Sequence, residues 1–426
     1  MDRLLIIADD FTGALDTGIQ FTKMGIRARI VTDYQYDFSQ LRSGDALLSV
    51  NTDTRPLSPE DAYQRVYELA SNARKAGFQH VYKKTDSGLR GNIGIELKAV
   101  MDAYEQKSIA FIPAFPSMNR ITKDGIQYID GVPVKESVFG KDPFEPVDYS
   151  DIEEIIHAQT DIRVIKIAPK DYENVRWENE EQTIFLFDAE TDEELLTIAR
   201  VLTQEKKTAI VAGCAGFAAN YNLMLDFEKG NPHFMQPSDG LLALCGSVNQ
   251  ITMNQMEYAE KHGFTRTHLG NEQKLNISQY ASEESNAFFE ELYHQISGTD
   301  RYILDTLDVP GKETVKEFSE RTGIGLSDIR FRIADCLGVI AMEMVERGLN
   351  YTFSMTGGDT LMGFMHRIGN KELVPICEIG KGAVLSAMRW NGKRIQVISK
   401  SGGFGEEDVF VQMYDTISDC KEGVKG

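Results

Sequence analysis

The chain has 426 residues, 42% of them hydrophobic, enough for one large or two medium cores. A net charge of -20, from 65 acids and 45 bases, disfavours nucleic acid and anionic membranes as partners, and no run approaches the ~20 apolar residues of a bilayer span. The five cysteines form no Cys-x-x-Cys pair and the seven histidines no His-x-x-x-His, which argues against a disulfide framework, a zinc site or an obvious Cys-His nucleophile.

In chain order, the N-terminal stretch Met1 to Asp10 reads as a first strand, with Ile6-Ile7-Ala8 running into Asp9 and Asp10. Acids at that point interrupt what a signal peptide would continue, so the protein is expected in the cytoplasm. A helix then ends at Lys23-Met24-Gly25-Ile26, and the same ending recurs at Lys75-Ala76-Gly77-Phe78, Lys261-His262-Gly263-Phe264 and Glu346-Arg347-Gly348-Leu349. Each pairs a charged helical residue with a glycine suited to the left-handed position and an apolar residue that folds back. A strand candidate follows every one, which is the punctuation of an α/β fold.

From Ser117 to Thr183 the alternation lapses into a β-rich excursion, with a hairpin turn at Ile129-Asp130-Gly131-Val132. Gly230-Asn231-Pro232 and Gln236-Pro237-Ser238 break the periodicity before a new strand at Leu241 to Leu244. Two α/β domains are therefore expected, about residues 1–230 and 238–426. Met253, Met256, Phe288, Phe289 and Tyr293 sit at helical spacing and read as core; Asp102, Glu105 and the acids of Asp151 to Glu154 read as solvated helix faces.

Polar residues gather where strands end. In the first half these are Asp9-Asp10, Thr52-Asp53-Thr54-Arg55 and Lys84-Thr85-Asp86-Ser87, with Arg90 close behind. In the second they are Gly246-Ser247, Thr356-Gly357-Gly358-Asp359-Thr360 and Ser401-Gly402-Gly403-Phe404-Gly405. Open α/β sheets bind ligands outside the carboxyl ends of their strands. Arginine and lysine suit a carboxylate, and aspartates accept hydrogen bonds from sugar hydroxyls or deprotonate one. Asp10, Arg55, Lys84 and Asp86 thus suit a small polyhydroxy acid, whereas Asp9 and Arg90 fit a structural role equally well. Glycines between strand and helix let backbone N–H groups approach phosphate. Thr356 to Thr360 is expected to open a helix over Leu361 to Ile368, and Gly380-Lys381-Gly382 fits a phosphate loop or an ordinary turn. Neither Gly-x-x-x-x-Gly-Lys-Ser/Thr nor a strand-linked Gly-x-Gly-x-x-Gly is present, which disfavours a P-loop NTPase and a standard dinucleotide fold.

These residues carry a resemblance. Ala8-Asp9-Asp10-Phe11-Thr12-Gly13-Ala14, Lys84-Thr85-Asp86-Ser87 with Leu89-Arg90-Gly91-Asn92, and Pro113-Ala114-Phe115-Pro116 with Gly131-Val132-Pro133-Val134 resemble signatures of the four-carbon acid sugar kinase family. So do Gly246-Ser247 with Gln250 and Thr252, Thr356 to Thr360, and Lys400-Ser401-Gly402-Gly403-Phe404-Gly405, in the family's order over nearly the whole chain. The resemblance implies a sugar-acid-binding N-terminal domain, a nucleotide-binding C-terminal domain and an active-site cleft between them. It implies substrate contacts from Asp10, Arg55, Lys84, Thr85, Asp86 and Ser87, and ATP contacts from Ser247, Gly357, Gly358, Asp359, Thr360 and Gly403. Gly403 stands where Asn is common in the family and Asp359 where Glu is common, so one loses a side-chain hydrogen bond and the other shortens its reach.

The implied reaction is ATP- and Mg2+-dependent phosphorylation of the terminal hydroxyl of D-threonate or D-erythronate. Asp10 is the first candidate for the base and Asp86 the second; no metal ligand is assigned. A 3-oxo-tetronate or L-threonate kinase would share every motif. A nicotinamide-dependent sugar-acid dehydrogenase would need a fingerprint that is missing, and a non-catalytic sensor would not need the second-half glycines. Partners are the sugar acid and ATP, with a homodimer admissible.

Overall fold

Leu4–Ala8 forms a strand, β1, whose every residue is buried. The structure is a computed structural model describing residues 2–42, 44–142, 145–178, 180–221, 223–230, 234–246, 249–282, 285–325 and 328–423. The chain divides into two units, Met1–Pro232 and His233–Gly426.

In the first unit β1 is followed by β2 (Ala28–Val31), β3 (Leu47–Asn51), β4 (His80–Lys84), β5 (Ser108–Ile112), β6 (Arg120–Lys123), β7 (Ile126–Ile129), β8 (Val132–Pro133), β9 (Arg163–Ile167), β10 (Thr183–Phe187) and β11 (Ile210–Gly213). All but β6 to β8 build a parallel sheet in the order β2-β3-β1-β4-β11-β5-β10-β9. Helices cover both faces, which is why the strands read as continuous apolar runs. Along β1, Leu5 and Ile7 join one core with Val50 and Val81, while Leu4 and Ile6 join the other with Leu47 and Tyr82. β6, β7 and β8 form a separate antiparallel sheet within the expected excursion. Its expected hairpin turn is present, with Asp130 at φ 50 and Gly131 at φ 82.

The second unit contains β12 (Gly240–Cys245), β13 (Thr265–His268), β14 (Arg301–Asp305), β15 (Tyr351–Thr356), β16 (Glu372–Gly380), β17 (Ala383–Trp390) and β18 (Lys393–Lys400), in the sheet order β13-β14-β12-β15-β18-β17-β16. β13, β14, β12, β15 and β18 are mutually parallel. β16, β17 and β18 form an antiparallel meander, where helix–strand alternation was the expectation. Its tight turns explain the difference: Gly382 has φ 73, and Asn391-Gly392, at φ 47 and 76, is a hairpin dipeptide. Gly380-Lys381-Gly382 is therefore an ordinary turn.

All four helix-ending glycines have left-handed backbone: Gly25 at φ 78, Gly77 at 89, Gly263 at 92 and Gly348 at 89. Strands β2, β4, β13 and β15 follow them. The helix expected from Leu361 begins earlier, spanning Gly358–Arg367, so the glycine motif is its first turn. It packs on the helix Ile329–Glu346, where a Cβ on Gly338 would lie 2.7 Å from the backbone of Gly363. Among the described residues no helix is long and apolar enough to cross a membrane.

Candidate active site

β1, β3 and β4 end side by side. Ala8 is in register with Asn51 on one flank and Lys84 on the other. The three following segments therefore leave the sheet together where strand order reverses about β1, the usual ligand crevice of an open α/β sheet.

Arg55 is the hub. Its Nε donates to Asp9 Oδ2 at 2.8 Å, and its Nη2 lies 3.0 Å from Asp10 Oδ1 and 3.8 Å from Asp86 Oδ1. Asp10 caps the helix Phe11–Lys23, accepting from Gly13 N at 2.9 Å through the same Oδ1. Lys84 Nζ donates to the carbonyl of Thr85 at 2.6 Å, and a Cβ on Gly13 would come within 2.9 Å of that ammonium. The glycine is what lets Lys84 cross the first turn of the helix. Arg90 grips Asp86 with Nε on Oδ2 at 2.8 Å and Nη2 on Oδ1 at 3.2 Å, and its Nη1 reaches Asp142 at 3.1 Å. Beneath them the fully buried pair Lys83–Glu96, 2.6 Å apart, ties β1 to β4, because Lys83 Nζ also donates to the carbonyls of Ile7 and Lys84.

The excursion covers Ser87 to Arg90. Arg120 bonds the Ser87 hydroxyl, and Gln127 Nε2 donates to the Ser87 carbonyl at 3.2 Å. The Phe139 ring lies 5.0 Å from the Arg90 guanidinium and 5.1 Å from that of Arg120, arrangements suited to cation–π attraction. Gly88 makes room for it: a Cβ there would sit 2.5 Å from the ring.

Burial would raise the Asp9 carboxyl, but Arg55, Lys84 and Lys83 outweigh burial and hold it below its ordinary value. Asp86 likewise is raised by burial and pulled much further down by Arg55 and Arg90. Burial pulls Arg55 down, yet Asp9, Asp10 and Asp86 lift it well above its ordinary value. Glu145 is pushed up by burial, with Arg55 and Arg90 acting against the rise. Among the described residues, the buried oxygens Asp9 Oδ1 and Thr85 Oγ1 have no hydrogen-bond partner. Such orphans are costly and often mark a ligand's place.

In the second unit β12, β15 and β18 end in register, Cys245 beside Thr356 and Thr356 beside Lys400. Gly357 has φ 96, and its N–H donates to the Lys400 carbonyl at 2.8 Å. Thr360 turns its hydroxyl inward to the Thr356 carbonyl at 3.0 Å, so its side chain is buried rather than offered to a ligand. Asp359 and Gly403 are exposed. Behind the last glycine loop Thr252 Oγ1 donates to the Gly402 carbonyl at 2.8 Å, and Gln255 Nε2 to those of Phe404, Gly405 and Glu406 at 3.2, 2.8 and 2.9 Å.

The structure thus gathers Asp10, Arg55, Lys84, Thr85, Asp86 and Ser87 at one sheet edge, and Gly357, Gly358, Asp359, Thr360 and Gly403 at the strand ends of the other unit. Ser247 lies outside the described residues. Sequence reasoning left Asp9 and Arg90 undecided, yet both are paired inside the cluster. It passed over Arg120, Gln127 and Phe139, whose only signal was membership of an excursion inserted next to a site. It also passed over the side chains of Gln255 and Lys400 behind the glycine loop.

A family model described as a sugar-binding N-terminal domain matches residues 4–221, and one described as a nucleotide-binding C-terminal domain matches residues 242–410. The chain belongs to the four-carbon acid sugar kinase family. Within that family it is 27% identical to a D-threonate kinase of Salmonella typhimurium over 95% of this chain and 96% of the relative. It is also 27% identical to a D-erythronate kinase of Heliobacterium modesticaldum, over 89% and 90%. A 3-oxo-tetronate kinase of Methylobacterium radiotolerans is 25% identical over 97% and 98%. The fold matches that of a Salmonella typhimurium LT2 protein crystallised under the description of a tRNA synthase, with a TM-score of 0.80 and 20% identity over 97% of this chain and 99% of that one.

Proposed function

We propose that this member of the family transfers the γ-phosphoryl group of ATP to the terminal hydroxyl of a four-carbon sugar acid, D-threonate or D-erythronate first. The observation that carries the reading is the Asp9, Asp10, Arg55, Lys84 and Asp86 cluster at the switch point of the unit matched by the sugar-binding model. It offers cations for a carboxylate and acceptors for hydroxyls. Lys84, whose ammonium bonds a carbonyl, and Arg55 are the carboxylate ligands in this reading. Thr85 and Ser87 orient the hydroxyls. The 3-oxo-tetronate kinase relative makes a 3-oxo-tetronate the second substrate to test.

Asp10 is the better general base. Asp86 has both oxygens engaged by Arg90 and is held strongly ionised, so it is a poor proton acceptor. The Gly13 hydrogen bond to Asp10 and its ion pair with Arg55 both fall on Oδ1. Asp10 then takes the proton from the substrate hydroxyl as its oxygen attacks phosphorus in line, while Arg55 keeps the carboxylate in place.

Gly357, Gly358 and Gly403, with Ser247, are the ATP-phosphate contacts in this reading, and Thr360 shapes the turn. Among the described residues no group of three or more His, Cys, Asp and Glu could hold a metal ion. Mg2+ on a nucleotide needs only one or two carboxylates besides phosphate and water. Exposed Asp359, in the first turn of its helix, fits that need; bound there, Mg2+ would neutralise phosphate charge. In this reading the enzyme works in the cytoplasm. The test is ADP release with each four-carbon acid in turn: acid-dependent release supports the reading, and none with any acid refutes it.

A further inference from the structure

Lys400, the last residue of β18, is completely buried and forms no ion pair among the described residues. Its Nζ donates to the Ser401 carbonyl at 2.9 Å and to Thr252 Oγ1 at 3.3 Å, with the Phe410 ring centre 6.0 Å away. Its other neighbours are Thr356 on β15, Ala383 on β17 and Cys245 on β12, of which Cys245 alone titrates. Burial pushes that thiol up to about 12, so it is neutral near pH 8. Beyond it, Asp305 is paired with Arg266 at 2.6 Å. A buried ammonium without a counter-charge is costly, and proteins keep one where a ligand supplies the anion.

The loop in front of Lys400 has the matching form. Lys400, Thr252 and Gln255 draw the carbonyls of Ser401, Gly402, Phe404, Gly405 and Glu406 toward the interior. In a trans peptide the N–H points opposite the carbonyl, so the N–H groups of Gly402, Gly403 and Gly405 face away from Lys400, Thr252 and Gln255 respectively, the side on which a nest would hold an anion.

We propose that Lys400 is a positioning residue and the buried charge that the nucleotide's phosphates neutralise across the Ser401–Gly405 loop, so that nucleotide affinity depends on Lys400 being protonated. The proposal rests on the kinase reading, and it goes further by naming what controls nucleotide affinity. Burial pulls Lys400 down to about 8. A bound polyphosphate raises it again, so binding above neutral pH takes up a proton. Phosphate's own second ionisation, near pH ~6, is complete by then.

The test is calorimetry of a non-hydrolysable ATP analogue with Mg2+ binding to the full chain, in buffers of different ionisation enthalpy. The expected uptake is about half a proton at pH 8, approaching one at pH 9, with Kd rising roughly tenfold per pH unit above that midpoint. Lys400→Met should abolish both the uptake and the pH dependence, and Lys400→Arg should hold affinity flat with pH. Should Lys400→Met not fold, the unsubstituted protein decides alone: binding with no uptake and a flat Kd from pH 7 to 9 overturns the proposal. Loss of all nucleotide binding in that protein overturns the kinase reading and this proposal with it.

Discussion

Arg55→Ala removes a guanidinium shared by Asp9, Asp10 and Asp86, so it should act on both substrate and fold. The KM for the sugar acid should rise ten- to a hundredfold from loss of a charge-assisted bond worth about 1.5–3 kcal/mol, with ATP affinity little changed. The melting temperature should drop as well, since buried Asp9 loses its closest cation. Steady-state kinetics beside a melting curve checks both; an unchanged KM would remove Arg55 from the substrate site. Lys400→Met should do the reverse to stability. Its folded value, about 8, lies below the ordinary 10.5, so between these the folded chain binds fewer protons than the unfolded one. Lysine therefore costs stability below pH 8, by up to roughly 3 kcal/mol, and the cost vanishes as pH rises through that window. Melting of both proteins from pH 7 to 10 should show the advantage of Lys400→Met shrinking with pH. A constant difference would mean Lys400 does not titrate there. Clustering of Asp10, Arg55, Lys84 and Asp86 was legible because all four lie at or just beyond strand ends. The partners of Arg55 were not, since ion pairing across the ends of β1, β3 and β4 depends on register.

Among elements, helix-Gly-strand punctuation was legible because left-handed backbone selects glycine, and Gly25, Gly77, Gly263 and Gly348 all adopt it. The meander of β16, β17 and β18 was not, although Asn391-Gly392 announces a hairpin; apolar runs alone do not reveal strand direction. The excursion was recognised as β-rich, but nothing local shows that Arg120 and Phe139 reach Ser87 and Arg90. The glycine elements can be tested without disturbing the fold at Gly403. It is exposed, and among the described residues a Cβ there would meet only Asn249 Nδ2, at 3.9 Å. Gly403→Val should melt like the parent yet bind ATP at least tenfold more weakly, by crowding the phosphate. Unchanged affinity by calorimetry would move the phosphates away from this loop.

For the molecule as a whole, the proposed sugar-acid groups Asp10, Arg55 and Lys84 lie in the first unit, and the proposed nucleotide groups Asp359, Lys400 and the glycine loops lie in the second. In this proposal neither unit alone supplies every group for phosphoryl transfer. Productive turnover then needs both ligands at once, and water should be a poor substitute for the acceptor hydroxyl. Binding of one ligand is expected to tighten binding of the other, reciprocally. The most direct measurement is coupled ADP release by the full chain with ATP and Mg2+, alone and then with D-threonate, D-erythronate, L-threonate and a 3-oxo-tetronate. The predicted result is slow release without acid and a rise of at least a hundredfold with one of the D-acids, with a phosphorylated acid as product. Equal release with and without every acid would contradict it.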